Sequence, residues 1–239
     1  MENEIKGEIV EVFPSIQGEG IFVGQPQLFI RFAGCNLECD YCDTDFHNGT
    51  YLTKEELINQ ICRIQQTKDR LNHKLLDHSV SLTGGEPLLQ VDFLRGLIPK
   101  IKQLGLKIYL ETNGTLPKNL SKIIDLVDYV SMDIKLPSAC RRSYWREHTE
   151  FLQLMDVHKR DSCFVKVVLT NKTKQTEIEK VIKLLDRGGD VPLVLQPVTP
   201  IRGVKPPKKE KIFLWQQQAL KYLKDVRVIP QVHKLLKIK

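Results

Sequence analysis

Residues 27–42 decide the fold of this chain, and they read QLFIRFAGCNLECDYC. An apolar run with aromatic and β-branched residues, typical of a buried strand, leads directly into three cysteines. These are Cys35, Cys39 and Cys42, in the spacing C-x3-C-x2-C. Three thiolates on one short loop can ligate three irons of a [4Fe–4S] cubane and leave its fourth iron open. The stretch therefore predicts a strand that ends in a metal-binding loop.

Other apolar strands also end in short polar motifs. Residues 83–87 read TGGEP, residues 111–114 read ETNG and residues 131–135 read SMDIK, while another strand ends at Gln196. The C-terminal ends of parallel strands lie along one rim, and ligands bind at that rim in βα folds. We therefore expect these motifs to converge with the cysteine loop on one site.

Strand and helix patterns alternate along the whole chain. Six βα steps follow an N-terminal strand, which predicts a parallel sheet with helices packed outside it. Six steps are too few for a closed eight-fold barrel. We predict an α/β fold, a partial (β/α)6 TIM-like barrel with one strand added at each terminus, forming a single domain over residues 1–239.

The sequence also indicates where individual elements begin and end. Thr53 with Glu56 and Thr176 with Glu179 match the capping-box pattern of helix starts. The predicted strands are Glu8–Phe13, Gln27–Ala33, His78–Leu82, Lys107–Glu111, Tyr129–Ile134, Phe164–Leu169, Val191–Gln196 and Val226–Ile229. The predicted helices are Thr53–Gln65, Asp92–Leu104, Leu116–Leu126, Arg142–His158, Thr176–Asp186 and Glu210–Lys224.

The composition is that of an ordinary globular protein. The 239 residues are 41% hydrophobic and 27% charged, so the chain is long enough for a sizeable core. Neither a secretory leader nor an apolar stretch of membrane-spanning length is visible, so we expect a cytoplasmic protein without a membrane partner. Six cysteines in such a chain argue against a disulfide framework. We expect Cys62, Cys140 and Cys163, which lie apart from the cluster loop, to be small apolar fillers.

The net charge of +7 is unevenly distributed. Residues 202–239 carry eleven Lys and Arg side chains against two acids. Such a run can attract nucleic acid, but it is more often a solvated basic face. We therefore predict no nucleic-acid partner.

Several motifs together resemble a known family. The cysteine loop, with Tyr41 before its third cysteine, and the GGEP stretch after the next strand resemble the radical S-adenosylmethionine (SAM) superfamily. Within it, residues 13–20 (FPSIQGEG), 29–37 (FIRFAGCNL), 42–44 (CDT) and 230–234 (PQVHK) are similar to 7-carboxy-7-deazaguanine synthases.

The resemblance implies a function. These enzymes are lyases that convert 6-carboxy-5,6,7,8-tetrahydropterin to 7-carboxy-7-deazaguanine with loss of ammonia, in 7-deazapurine (queuosine or archaeosine) biosynthesis. The implied cofactors are a [4Fe–4S] cluster, SAM and Mg2+. The implied partners are a reductase, flavodoxin or ferredoxin as electron donor, and a second copy of the chain in a homodimer.

The resemblance also implies site residues, each with suitable chemistry. A planar guanidinium such as that of Arg31 can bind a substrate carboxylate in bidentate fashion. The hydroxyl of Thr44 is an oxygen ligand of the kind Mg2+ takes. The implied substrate contacts are Ile16, Gln17, Gly18, Glu19, Arg31 and Thr83, and the implied SAM contacts are Tyr41, Asp43, Gly85, Glu86, Ser131, Asp133, Lys135 and Gln196. The implied metal ligands are Cys35, Cys39 and Cys42 for the cluster and Thr44 for Mg2+.

Alternatives remain open at this point. Asp133 and Lys135 form an Asp-x-Lys pattern that resembles activases of glycyl-radical enzymes. A non-enzymatic electron carrier, or a zinc module with His47 as fourth ligand, would also use the cysteines. Arg31 could instead form a salt bridge on the strand face, and Thr44 a local turn bond. The roles of Gln231, His233 and the last residues are left open.

Overall fold

The structure is a computed structural model that describes residues 4–70, 79–159, 162–187 and 190–239. Within these ranges the chain forms a nine-stranded sheet and eight α-helices. The strands are β1 (Gly7–Ile16), β2 (Pro26–Phe32), β3 (Thr50–Leu52), β4 (Ser79–Gly84), β5 (Ile108–Thr112), β6 (Tyr129–Asp133), β7 (Cys163–Leu169), β8 (Leu193–Pro197) and β9 (Val226–Val228). The helices are α1 (Lys54–Arg70), α2 (Val91–Gln103), α3 (Pro117–Leu120), α4 (Pro137–Cys140), α5 (Trp145–Lys159), α6 (Gln175–Asp186), α7 (Lys209–Ala219) and α8 (Val232–Leu236).

The sheet is an open one. Its strand order is β3-β1-β2-β4-β5-β6-β7-β8-β9, with β3 and β9 at the two edges. Strands β2 and β4 to β9 run parallel to one another, while β1 and β3 add an antiparallel edge next to β2. The predicted α/β class and partial barrel are confirmed, including the added first and last strands. No helix in the described part of the chain is both long and apolar enough to cross a membrane.

The two faces of the sheet have opposite character because strand side chains alternate between faces. On β2, Leu28, Ile30 and Phe32 belong to the main hydrophobic core, which also contains residues of α2 and α6 such as Leu97 and Ile178. Each such side chain contributes about 1.5–3 kcal/mol when fully buried. The side chains between them point to the other face, called here the inner face, and become polar towards the strand ends. The core thus fixes the register that presents those polar groups.

An aromatic plug fills the inner face at the N-terminal ends of the strands. The ring of Phe22 lies 4.9 Å from that of Tyr129 and 5.6 Å from that of Tyr109, measured between centroids, and Phe164 completes the group. Gly20 makes this approach possible. Its φ is +69°, and a Cβ there would lie 2.2 Å from the ring of Phe164. The plug closes one end of the sheet, and the opposite end stays available for a site.

Several predicted elements differ from those observed. The predicted helix 116–126 is interrupted, since α3 ends at Leu120 and a 3-10 turn covers Ile124–Leu126. The predicted helix 142–158 begins instead at Trp145. The first residue of the predicted strand at His78 lies outside the described residues. Neither β3 nor α8 is predicted, because elements of three and five residues are too short to show a hydrophobic period.

One of the two predicted capping boxes is confirmed. The backbone N–H of Thr53 donates to Oε2 of Glu56 at 2.7 Å, and the N–H of Glu56 donates to Oγ1 of Thr53 at 3.1 Å. The second prediction is wrong because α6 begins earlier. Lys174 is the N-cap residue, and its N–H donates to Oε2 of Glu177 at 2.8 Å.

Candidate active site

The polar motifs at the strand ends surround a cavity of about 530 Å3. The structure places seventeen of the eighteen predicted site residues in its lining. The expected convergence at the C-terminal rim is therefore observed. The lining residues from the prediction are Ile16, Gln17, Gly18, Glu19, Arg31, Cys35, Cys39, Tyr41, Cys42, Asp43, Thr44, Thr83, Gly85, Ser131, Asp133, Lys135 and Gln196.

Glu86 is the exception. Its side chain is fully buried and accepts hydrogen bonds from Thr112 Oγ1 at 2.8 Å, Asn113 N at 2.7 Å and Leu88 N at 3.0 Å. Burial raises the pKa of this carboxyl to about 7 against the lowering effect of those bonds. The side chain thus ties the TGGEP turn to the ETNG turn, and the cofactor contact expected of it is not seen at the cavity wall.

The cysteine loop is held by the neighbouring turns. The N–H of Gly34 donates to Phe46 O at 3.0 Å, and the N–H of Glu86 donates to Gly34 O at 2.9 Å. Gly85 lies so close that a Cβ there would be 1.8 Å from Gly34 O. On its other side the loop contacts α4, where the N–H of Asp40 donates to Ala139 O at 3.0 Å.

A fourth thiol lies beside the loop. The Sγ atoms of Cys39 and Cys140 are 3.1 Å apart, and Cys140 is buried. The burial expected of this filler residue is observed, but its contact with the loop was not expected.

The residues around the loop fit an iron–sulfur cluster and a polar cofactor. Within the described residues, Oδ1 of Asp133 and Oε1 of Gln196 are buried without a hydrogen-bond partner, although both side chains line the cavity. Buried polar atoms need partners, so these two indicate a ligand with donor groups. In the described ranges no three His, Cys, Asp or Glu side chains surround a single ion, and in a cubane each thiolate binds a different iron.

Four charged side chains form a connected group in the cavity. Nζ of Lys135 lies 2.8 Å from Oδ2 of Asp133, and Nζ of Lys166 lies 3.6 Å from the same atom. Lys166 also pairs with Glu19. Burial raises the pKa of Glu19, but the charge of Lys166 and its hydrogen bond outweigh that effect and lower it to about 2. Glu19 is therefore an ionised hydrogen-bond acceptor at neutral pH.

A second polar layer lies on the inner face between the plug and the cavity. Gln17 is buried, and its amide donates to Oε1 of Glu111 at 2.8 Å and to Oε1 of Gln27 at 3.0 Å. Glu111 also accepts from Ser81 Oγ at 3.1 Å and from Thr83 Oγ1 at 3.2 Å. These bonds fix the orientation of the side chains that face the cavity.

Arg31 lies on the wall next to β1. Its Nε donates to Oε1 of Glu11 at 2.8 Å, and its guanidinium lies 5.5 Å from the ring centroid of Phe13. The salt bridge considered from the sequence is therefore present, and the side chain also lines the cavity. Asp43 and Thr44 also line the cavity, and Asp43 pairs with Lys234 at 2.9 Å.

Sequence reasoning missed two residues at the cavity. Glu111 was recognised only as part of a strand-end motif. Lys166 stands alone as a charged residue in the buried apolar strand CFVKVVL, and that contrast was the available signal. Glu111 is held by its hydrogen bonds with Gln17, Ser81 and Thr83, and Lys166 by its ion pairs with Glu19 and Asp133.

The C-terminal segment also reaches the cavity, and the sequence had left its role open. The N–H of Val232 donates to Gly18 O at 2.8 Å, and the amide of Gln231 donates to Oε1 of Glu19 at 2.8 Å. His233 and Lys234 line the cavity. The segment thus completes the wall formed by the loop 17–19.

Comparisons with known proteins agree with this site. A family model described as the Radical SAM superfamily matches residues 29–185. The 7-carboxy-7-deazaguanine synthase of Geobacter sulfurreducens is 37% identical over 257 aligned positions, which cover 96% of both chains. That of Methanothermobacter thermautotrophicus is 36% identical and covers 97% of this chain and 98% of its own. The fold is similar to the crystal structure of QueE from Escherichia coli, with a TM-score of 0.62, 21% identity and 95% of each chain covered.

These findings and the cavity lead to one conclusion. Members of the superfamily work with a [4Fe–4S] cluster and SAM, which agrees with the three thiols and the two unpartnered acceptors. The family model covers more than half of the chain, and the relatives cover nearly all of it. The chain therefore belongs to the radical SAM superfamily and, within it, to the 7-carboxy-7-deazaguanine synthase family.

Proposed function

We propose that the protein is a lyase that converts 6-carboxy-5,6,7,8-tetrahydropterin to 7-carboxy-7-deazaguanine with loss of ammonia. The observation that carries the proposal is the convergence of the cysteine loop, Arg31 and the loop 16–19 on one cavity. The names of the relatives favour this reaction over an activase and over a non-enzymatic module. We also propose that the chain is a single domain that works in the cytoplasm.

The chain supplies binding and orientation, and the cofactors supply the radical. Cys35, Cys39 and Cys42 would hold the cluster, while Asp133 and Gln196 would accept hydrogen bonds from SAM. When bound, the cluster and SAM would supply the one-electron chemistry of the reaction.

Substrate would lie against the loop 16–19 and β2. The ionised carboxylate of Glu19 can accept hydrogen bonds from the donors of a pterin edge. The amide N–H groups of Gln17 already donate to Glu111 and Gln27, so Gln17 would offer its carbonyl oxygen. Arg31, oriented by Glu11 and Phe13, would bind the substrate carboxylate. Thr44, which also lines the cavity, would contribute an oxygen ligand to Mg2+.

Turnover is the direct test of the reaction. We would incubate reconstituted protein anaerobically with dithionite, SAM, Mg2+ and the carboxy-tetrahydropterin, and identify the product by mass. A product that has lost ammonia and carries the 7-deazaguanine ring supports the proposal. Cleavage of SAM without conversion of the pterin would contradict it.

Arg31→Lys tests the substrate contact separately from the cofactors. Lysine keeps the charge but loses the planar fork, so we expect kcat/KM for the pterin to fall about 10- to 100-fold. Cleavage of SAM without substrate should stay near the wild-type rate. Arg95→Lys, on the exposed side of α2, is the matched control. A joint loss of iron and SAM cleavage in Arg31→Lys would assign Arg31 a structural role.

The partners are part of the same proposal. Asp40, between two cluster cysteines, binds both Arg141 and Lys172, whose side chains are 83% and 55% exposed. Cations beside the cluster loop suit an acidic electron donor such as flavodoxin, ferredoxin or a reductase. We further propose a homodimer, which light scattering of the purified protein would test.

A further inference from the structure

Cys140 is positioned against the cluster loop by contacts on successive residues. It ends α4, and its Sγ lies 3.1 Å from that of Cys39, although 101 residues separate the two in sequence. Asp40, next to Cys39, binds the residues on both sides of Cys140. Its carboxylate accepts a hydrogen bond from the guanidinium of Arg141 at 3.0 Å, and its backbone N–H donates to Ala139 O at 3.0 Å. Backbone and side-chain contacts therefore hold the two thiols together.

We propose that Cys39 and Cys140 are a thiol-modification site, which forms a reversible disulfide when the protein lacks its cluster. The disulfide would withhold one cluster ligand until a thiol reductant restores it. The proposal rests on the assignment of Cys39 to the cluster under the proposed function, but it does not depend on the pterin substrate.

The surroundings favour this pair over the other cysteines. An S–S bond is about 2.05 Å long, so the two sulfurs need to approach by only about 1 Å. Leu37, Ala139 and Tyr144 pack around Cys140, whereas Cys39 is partly exposed. An accessible thiol that meets oxidant, with a second thiol beside it to resolve the adduct, is an arrangement found in redox-sensing pairs. All six cysteines lie in the described residues, and none is joined in a disulfide there.

The chemistry balances with a small-molecule disulfide such as oxidised glutathione. The Cys39 thiolate attacks one glutathione sulfur, forms a mixed disulfide and releases one glutathione thiolate. The Cys140 thiolate then attacks the Cys39 sulfur and releases the second. Two cysteines lose two electrons in total, the oxidised glutathione gains them, and the two cysteine protons pass to the released thiolates.

Cluster binding and this disulfide exclude each other. A thiolate bound to iron cannot at the same time form a bond to another sulfur. We therefore expect the cluster-loaded protein to resist the modification, and the cluster-free protein to undergo it.

The test uses the full chain with and without its cluster. Reduced, cluster-free protein is incubated anaerobically with oxidised glutathione, and then analysed by thiol counting, intact mass and non-reduced peptide mapping. We expect the loss of two thiols without a retained adduct, and a Cys39–Cys140 peptide pair. Iron loading should fall at least tenfold and recover after dithiothreitol. Cluster-loaded protein should show neither change.

Variants identify the roles of the two thiols. Cys140→Ser should keep a glutathione adduct on Cys39, because the resolving thiol is absent, and should load iron normally under reducing conditions. Cys140→Ala should do the same if serine disturbs the buried site. Cys62→Ser, on α1, should behave as wild type.

Several results would overturn the proposal. They are a disulfide from Cys39 to Cys35 or Cys42, equal two-thiol loss in Cys140→Ser, equal reaction of the loaded protein, and failure of both Cys140 variants to load iron when reduced. Iron loading of Cys39→Ala checks the ligand assignment on its own. None of these measurements requires turnover of the pterin.

Discussion

At the scale of single residues, Gly85 joins the cysteine loop to the TGGEP turn. A Cβ there would lie 1.8 Å from Gly34 O and 3.1 Å from Cys35 Cβ, so Gly85→Ala must displace the loop. We expect the reconstituted variant to hold less than half of the wild-type iron per chain, measured by iron assay and cluster absorbance. Gly24→Ala is the control, because its φ of +88° imposes backbone strain but nothing lies within 4 Å. Full iron in Gly85→Ala would show that the loop accommodates the methyl group.

His148 makes the stability of the protein depend on pH. It is fully buried, and burial lowers its pKa from 6.5 to about 4 against the raising effect of Asn113 O. The unfolded chain therefore binds a proton between pH 6.5 and 4 that the folded chain does not, and stability falls as the pH drops through this window. From pH 7.5 to 5 we expect a loss of about 2 kcal/mol from this residue.

Urea unfolding of wild type and His148→Gln at several pH values measures that loss. The slope of stability against pH should be shallower in His148→Gln than in wild type. Equal slopes in the two proteins would mean that His148 titrates normally in the folded state.

At the scale of elements, the start of α1 offers a matched comparison with α6. Thr53 forms the capping box of α1, so Thr53→Ala should lower the free energy of unfolding by about 1 kcal/mol. Thr176 matches the same pattern in sequence, but Lys174 and Glu177 cap α6 instead. Thr176→Ala should therefore change stability by only a few tenths of a kcal/mol. Denaturant unfolding of both variants checks this, and equal losses would contradict the capping geometry.

The strands of the parallel sheet and most of the helices between them could be predicted from the sequence, because their apolar residues repeat with a clear period. The strand-end motifs could be assigned to one rim because parallel strands have their C-terminal ends on the same side of the sheet. The sequence could not predict β3 or α8, which are short and are stabilised by neighbours distant in sequence. The inward turn of Glu86 likewise depends on donors of the ETNG motif, and a motif alone does not reveal which way its side chains point.

Only some of the contacts around the cavity could be predicted from the sequence. The spacing of the three cysteines is local information, and it predicts the loop well. The approach of Cys140 and the ion pair between Glu19 and Lys166 join segments more than 100 residues apart. Such pairings follow from the assembled sheet, so only the structure reveals them.

At the scale of the whole molecule, the net charge is +7, and the excess of basic residues lies in the C-terminal part of the chain. We predict that this part does not bind nucleic acid specifically. Residues 202–239 carry a net charge of +9, from eleven basic and two acidic side chains. Charge alone gives weak binding that decreases steeply with salt. We expect a labelled tRNA to be retained at low salt and released at near-physiological salt, measured by filter binding. Retention at the higher salt would reveal a specific nucleic-acid site.

The hydrogen bond between Val232 and Gly18 affects the order in which the parts of the cavity can fold during synthesis of the chain. The ribosome makes Val232 214 residues after Gly18. At about 5–20 residues per second, the loop that carries Glu19 waits about 10–40 s for Gln231 and its neighbours. The turns and the helix α4 that hold the cysteine loop are all synthesised before Val232. We therefore expect a growing chain to become able to accept iron before it becomes able to bind its substrate.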